Sequence, residues 1–285
     1  MRIDLHAHSN ASDGTEPPAV VVAAAQAAGL DAVALTDHDS AAGWEEAAQT
    51  ADAVGIALVR GMEMSARHLG VTVHLLSYLH DPTYPPLVAA LERVHAARRE
   101  RAQAMVERLA RDYPIDWESV ARRAAGGAPV GRPHIADELV ALGAVPSRSA
   151  AFERLLHPRG PYYVRYWAVA AQDAIGLIRA AGGVPVFAHP GATGRQRLVG
   201  DDGIVQMHDA GLFGLEVRHR DNPPEQRVRL TALARRLGLA VTGGSDYHGA
   251  GKANRLGENL TAPEVFREII ALGALPLVGR APLDG

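Results

Sequence analysis

The stretch Ile3-Asp-Leu-His6-Ala-His8-Ser9 decides the reading of this chain. It is a short apolar run that ends in two histidines spaced by two. In a strand, that spacing puts both rings on one face. Six further apolar runs follow: Ala32 to Leu35, Ile56 to Val59, Val71 to Ser77, Val184 to Ala188, Leu212 to Val217 and Leu239 to Thr242. Each carries a metal-ligand type at or near its end. Asp37-His38 closes the second, and Glu63 lies just past the third in Arg60-Gly-Met-Glu63. His74 lies within the fourth, His189 ends the fifth in Ala188-His189-Pro190, and Glu216 lies within the sixth. Asp246 and His248 follow the seventh in Gly243-Gly-Ser-Asp-Tyr-His248.

Such convergence is what a βα barrel produces, because the C-terminal ends of its strands meet at one place. Any one of these motifs alone is weak: a lone His-x-His, or Asp37-His38-Asp39 as a solvated turn, would carry little. Six histidines at strand ends, with carboxylates at the others, point to a metal centre. Imidazole nitrogen and carboxylate oxygen without thiolate suit Mn²⁺, Zn²⁺ or Fe²⁺ in a hydrolytic site. His68, His80, His95, His157 and His208 read as ordinary surface residues.

Helical segments separate the runs. Thr15 is expected to cap a helix opened by Pro17 and closed near Gly29, and Ser40 one that ends near Gly55. Asp173 to Ala181 stops at Gly182-Gly183. From Asp81 to Arg165 no buried strand is evident. Leu87 to Arg111 reads as one long, Arg-rich amphipathic helix, followed by a punctuated stretch, Gly126 to Pro133, and a helix from Pro133 to Leu142. The expected organisation is a barrel from residues 1–80 and 166–285, interrupted by a helical insertion at 81–165. Arg280 to Gly285 reads as a loose tail.

Composition narrows the function. The chain has 285 residues, 47% of them hydrophobic, enough for one large domain carrying an insertion. With 29 Lys and Arg against 32 Asp and Glu, its net charge of -3 provides no general attraction for nucleic acid, and duplex DNA is not an expected partner. The absence of Cys excludes thiolate sites, thiol nucleophiles and disulfides. No apolar run approaches the roughly 20 residues that span a bilayer. No signal-like start is seen, and a cytoplasmic location is expected.

At His6-Ala-His8 with Ser9, Asp13-Gly14, Thr36-Asp37-His38, Gly61-Met-Glu63, His74, Ala188-His189-Pro190, Glu216 and Gly244-Ser-Asp246-Tyr-His248, the chain resembles the PHP (polymerase and histidinol phosphatase) family. The resemblance implies a distorted, TIM-like (β/α)7 barrel with two or three divalent ions, Mn first, with Zn, Fe or Mg as alternatives. It implies that His6, His8, Glu63 and Asp246 hold one ion. Glu63 would bridge to a second, completed by His74 and His189, while Asp13, His38 and His248 hold a third. Glu216 is expected among the ligands.

Ala97-Arg-Arg-Glu-Arg101 and Gly131-Arg-Pro-His-Ile135 resemble the subgroup of nucleotide phosphatases and 5′-to-3′ exoribonucleases, whose insertion covers the metals and supplies phosphate-binding groups. Arg98, Arg99, Arg101, Arg132, His134 and His219 are therefore the expected substrate contacts. Val-Arg218-His219 departs from the pattern, since an aromatic residue is expected at 218; Arg218 is expected to reshape the specificity pocket.

The expected reaction is metal-activated hydroxide attack on a nucleotide phosphate monoester, a 5′-nucleotide or a 3′,5′-bisphosphate. Asp13, His134 and His248 are the candidates for the acid, and Glu63 for the essential bridge. The rival readings are a 5′-to-3′ exoribonuclease on short 5′-phosphorylated single-stranded RNA and a non-enzymatic metal-binding module. A histidinol-phosphatase-like activity is less favoured, as it does not need the insertion.

Overall fold

All five residues of β1 (Ile3–Ala7) are buried, and so are all four of β2 (Ala32–Leu35), as expected of barrel strands covered on both faces. The computed structural model describes residues 1–124, 130–194 and 197–279. The other strands are β3 (Ala57–His68), β4 (Val71–Tyr78), β5 (Val169–Ala170), β6 (Val184–Phe187), β7 (Gly214–Arg218) and β8 (Ala240–Gly243). The sheet runs β1-β2-β3-β4-β6-β7-β8, with β5 paired only to the outer part of β3. A parallel bridge between Ala7 and Tyr247 brings its two edges together, so seven staves form a nearly closed barrel. Ile3, Leu5, Ala34, Val59, Leu76 and Val186 belong to one buried cluster inside it.

Two features depart from a simple parallel barrel. β3 extends through twelve residues, so Glu63 lies within the strand instead of just past it. β4 then runs antiparallel to both β3 and β6. The cause is the two-residue turn Leu69-Gly70, where φ is 43° and 80°. Positive φ at both central residues makes the tight turn that matches strand twist and folds a strand straight back. β4 thus enters the barrel at the end where the parallel strands leave it. His74, the fourth of its eight residues, arrives beside the ligands of the other strands.

The helices are α1 (Pro18–Ala27), α2 (Trp44–Val54), α3 (Pro85–Leu109), α4 (Trp117–Arg123), α5 (Arg132–Ala141), α6 (Arg148–Arg154), α7 (Ala171–Ala180), α8 (Asp201–Asp209), α9 (Pro224–Leu237) and α10 (Pro263–Leu272). Thr15 does not cap α1, which begins at Pro18. Its hydroxyl donates to the His248 carbonyl at 3.2 Å and accepts from the Ala250 N–H at 2.9 Å, tying two loops together. Ser40 bonds the Ala42 N–H at 3.2 Å, four residues ahead of α2, and Gly43 holds the cap position.

Between β4 and β5, helices α3 to α6 surround an apolar cluster of their own that includes Met105, Leu109, Ile135, Leu139, Ala151 and Leu156. The stretch Gly126 to Pro133 lies partly outside the described residues, and Arg280 to Gly285 lies wholly outside them. Among the described residues, no helix is long and apolar enough to cross a membrane.

Candidate metal centre

His6 and His8 leave β1 with both rings buried on the barrel's inner side, their Nε2 atoms 3.0 Å apart. Facing them are Glu63 from β3 and Asp246 from the loop after β8. Glu63 Oε2 lies 3.3 Å from His6 Nε2 and 3.1 Å from His8 Nε2. Asp246 Oδ1 lies 3.5 and 3.4 Å from the same two nitrogens.

The other Glu63 oxygen serves a second group. Oε1 is 2.9 Å from His74 Nδ1 and 3.0 Å from His189 Nε2. Glu63 therefore faces two sets of imidazoles at once, through different oxygens.

A third group lies on the far side of His8. Asp13 Oδ1 is 3.2 Å from His248 Nε2 and 3.7 Å from His8 Nδ1, and Asp13 Oδ2 is 3.8 Å from His38 Nε2. Within each of the sets His6–His8–Glu63–Asp246, His38–Glu63–His74 and His8–Asp13–His38–His248, the ligand atoms lie within 4.8 Å of one another.

Whether these residues fit a cation is tested by their hydrogen bonding. His8 Nδ1, His38 Nδ1 and His248 Nε2 are buried and make no hydrogen bond. Yet each sits 3.2 to 3.7 Å from a carboxylate oxygen of Asp13 or Glu63. A buried imidazole nitrogen near a carboxylate but misaligned with it is costly unless both bind a common third partner. A divalent ion is such a partner, and the donor set of nitrogens and carboxylate oxygens suits one.

The charge states of the carboxylates agree. Burial raises the Glu63 carboxyl, but His38, His74 and His6 outweigh it and hold the group well below its ordinary range. Asp13 is likewise ionised: burial is overcome by His248 and His38. Burial pushes His38 down to about 3, and burial with Lys252 and His8 pushes His248 down to about 4. Neutral imidazoles and ionised carboxylates are the forms that bind metal. Burial would lower His8 too, but Asp246 and Glu63 raise it to about 9.

The backbone is strained where these side chains are aimed. Asp39, His189 and Asp246 have φ of 51°, 34° and 54°, a region that non-glycine residues seldom adopt and that clusters at functional sites. Gly244 sits so close behind β1 that a Cβ there would lie 2.3 Å from the His6 Cβ and 2.7 Å from Glu216 Oε1.

Glu216 holds a different position from the other acids. Its Oε1 faces the outer nitrogen of His6, and its Oε2 accepts the His189 N–H. Both oxygens are therefore engaged behind the first set of ligands. His219 is fully buried, its Nδ1 accepting from the Asp221 N–H and its Nε2 3.5 Å from Asp246 Oδ2.

The arginines divide. Arg98 is ion-paired with buried Asp39. Arg99 is exposed, over the Trp117 ring at 5.9 Å. Arg101 is buried, with its guanidinium 4.7 Å from the Tyr166 ring centre and 5.6 Å from that of Tyr163. Among the described residues it has no carboxylate partner. Arg132 lies over Phe152 and Tyr163 and donates to the Leu156 carbonyl at 3.3 Å. After burial itself, the charge that most lowers Arg101 is Arg132. His134 is buried; its Nδ1 accepts from the Gly131 N–H at 3.0 Å, which leaves Nε2 to donate from the neutral ring. Arg218 is exposed, and its guanidinium bonds the Leu260 carbonyl on the barrel itself.

Three histidines read as surface residues are not. His68 and His80 are buried, and half-buried His95 bonds the Asp39 carbonyl through Nε2 at 2.8 Å. Several functional neighbours have no assigned role in the sequence reading. Lys252 Nζ is 2.9 Å from Asp246 Oδ2. Asp37 accepts from Ser9 and Ser12, shaping the loop that carries Asp13. Asp4 accepts from the N–H groups of Ser245 and Gly257 under the site, and burial raises its carboxyl to about 6. Asp4 had a visible signal: it shares the two-residue spacing of His6 and His8.

Known proteins agree with this geometry. The pattern of the PHP domain matches residues 4–126. A 3',5'-nucleoside bisphosphate phosphatase from Chromobacterium violaceum is 35% identical, over 94% of this chain and 94% of the relative. A 5'-3' exoribonuclease from Haemophilus influenzae is 34% identical, over 91% of this chain and 94% of the relative. Among solved structures, a Bifidobacterium adolescentis protein described as a metal-dependent phosphoesterase superposes with a TM-score of 0.93 at 44% identity, covering 95% of this chain and 96% of its own. On this sequence, fold and ligand arrangement, the chain belongs to the PHP domain family.

Proposed function

We propose that this chain is a divalent-metal-dependent phosphoesterase that hydrolyses phosphate monoesters of nucleotides, 5′-nucleotides or 3′,5′-bisphosphates. The observation that carries this reading is Glu63, a buried carboxylate whose two oxygens face separate sets of imidazoles 2.9 to 3.3 Å away. Similarity to the phosphatase of Chromobacterium violaceum supports the nucleotide assignment.

His6, His8, Glu63 and Asp246 would hold one ion, Glu63 with His74 and His189 a second, and Asp13, His38 and His248 a third. Manganese is the expected occupant. Bound ions there supply positive charge for the phosphate oxygens and an acidified water. Glu216 keeps His6 Nε2 turned inward and fixes the His189 backbone. We place it behind the ligands, not among them.

Residues 81–165 form the substrate-selecting insertion in this reading. Arg101 and Arg132 are two cations held against aromatic rings, with no carboxylate paired to either among the described residues. A phosphate there would restore charge balance and satisfy both guanidinium groups. His134 Nε2 offers a further donor, and the influence of Asp13 on His134 ties that ring to the metal ligands.

The exoribonuclease reading is kept as an alternative on one observation, the similarity to the 5'-3' exoribonuclease of Haemophilus influenzae; a terminal 5′-phosphate of a short RNA would meet the same guanidinium pair. A manganese assay on nucleotide mono- and bisphosphates and on a short 5′-phosphorylated RNA tests both. Inorganic phosphate from the nucleotides supports the phosphatase. Release of mononucleotides from RNA, with no phosphate from nucleotides, overturns it in favour of the exonuclease.

A further inference from the structure

The three ligand groups are not supported alike. Glu63, His74 and His6 sit on barrel strands, and the carboxylate behind His6 and His189 comes from β7. The group of Asp13, His38 and His248 is framed differently: none of the three is within a barrel strand, although His38 is bridged to Glu63 of β3. Asp13 and His38 are on loops after β1 and β2, and both loops are gripped by the helical insertion.

The first grip comes from α3. His95 Nε2 bonds the Asp39 carbonyl at 2.8 Å, and Arg98 pairs with the Asp39 carboxylate, one residue from His38. Asp39 also accepts from the Ser65 N–H at 2.6 Å and the Ser65 hydroxyl at 2.8 Å, so the α3 contacts lock its positive-φ backbone against β3.

The second grip comes from α6. Arg148 is held by Asp137 of α5 through two bonds of 2.7 and 2.5 Å, which fix the plane of its guanidinium. The remaining Nη1 donates to the Asp13 backbone carbonyl at 3.0 Å. Asp37, with Ser9 and Ser12, holds the same loop from the barrel side. The loop is thus clamped between the two parts of the chain.

We infer that His95, Arg98 and Arg148 are positioning residues through which the docked insertion sets the occupancy of the Asp13–His38–His248 ion, independently of the other two. The inference rests on the three-ion reading above. Side chains that orient ligands from behind typically control metal affinity by roughly 10- to 100-fold. His95 and Arg148 hold two ligand loops by their backbone carbonyls and Arg98 by the Asp39 carboxylate, and all three belong to the segment that also carries the proposed phosphate anchors. Substrate contact with the insertion would therefore be felt first at this ion.

The test is a titration of chelator-stripped protein with Mn²⁺, reading free Mn²⁺ by electron paramagnetic resonance. The proteins are the wild type, Arg148→Ala, Arg148→Lys, the pair Arg98→Gln with Asp39→Asn, and Asp13→Ala to mark the third ion. The double change avoids stranding a buried carboxylate. We expect three ions in the wild type. Arg148→Ala and the double variant should keep two at unchanged affinity and bind the third roughly 10- to 100-fold more weakly, with partial recovery in Arg148→Lys. An unchanged third ion in both variants overturns the inference alone. Equal weakening of all ions also overturns it, because it would show a general structural effect. A wild type that binds only two ions, or an Asp13→Ala variant that loses none, overturns the three-ion reading as well.

Discussion

Glu216 Oε1 lies 2.8 Å from His6 Nδ1, and the other oxygen of the same carboxylate accepts the His189 N–H at 2.8 Å. One buried acid on β7 thus orients two candidate ligands, one from β1 and one from the loop after β6. Glu216→Gln keeps the shape but offers one acceptor where two are used, so either His6 or the His189 N–H loses its partner. Metal affinity should fall by roughly 10- to 100-fold with the fold retained. Competition with a chelator of known affinity measures this, and an unchanged affinity would make Glu216 a spectator.

Glu63 is the residue on which two ligand sets depend. Glu63→Ala removes carboxylate oxygens from both sides at once, and turnover should drop by at least roughly a thousandfold. Circular dichroism should show the fold intact. Retention of more than about a tenth of wild-type turnover would contradict the bridging role.

Substrate selection should reside in the insertion. Arg132→Ala removes one of two guanidinium groups with no carboxylate paired to either among the described residues, and a charge-assisted contact is worth about 1.5–3 kcal/mol. On the best nucleotide substrate, kcat/KM should fall by roughly tenfold or more. On p-nitrophenyl phosphate, which has no second anchor, the loss should be much smaller. Equal losses on both would place Arg132 at the scissile phosphate.

Much of the candidate site was legible because, in a chain without Cys, the side chains suited to a metal are His, Asp and Glu, and a barrel gathers them near the ends of its strands. His6, His8, Glu63, His189 and Asp246 could be found from that rule alone. The direction of β4 could not. Alternating burial looks the same whichever way a strand runs, and the deciding signal was the turn at Leu69-Gly70. Pairings over long separations were also hidden. Nothing local in Arg98 marks its partner as Asp39, or in Arg148 its hold on Asp13. Burial of His68 and His80 comes from neighbours supplied by tertiary packing. Gly183, for example, lies so close that a Cβ there would sit 2.7 Å from the His80 Cβ.

His80 gives the fold a specific acid sensitivity. Burial lowers it from 6.5 to about 4, so it stays neutral in the folded protein while the unfolded chain takes up a proton. Stability is therefore full above pH 6.5 and is lost as pH falls towards about 4. The loss from this group is about 3 kcal/mol at most. His80→Asn should flatten the decline in denaturation midpoint over that window. An identical decline in both proteins would assign the acid sensitivity elsewhere.

The central claim is that several carboxylates and imidazoles converge here to hold more than one metal ion and that catalysis needs them. The most direct measurement is elemental analysis of purified, active protein alongside its phosphatase activity before and after chelator treatment and readdition of Mn²⁺. More than one ion per chain, with activity lost on stripping and restored with the metal, is the expected result. One ion or fewer per chain in fully active protein, or activity that survives complete stripping, would contradict it.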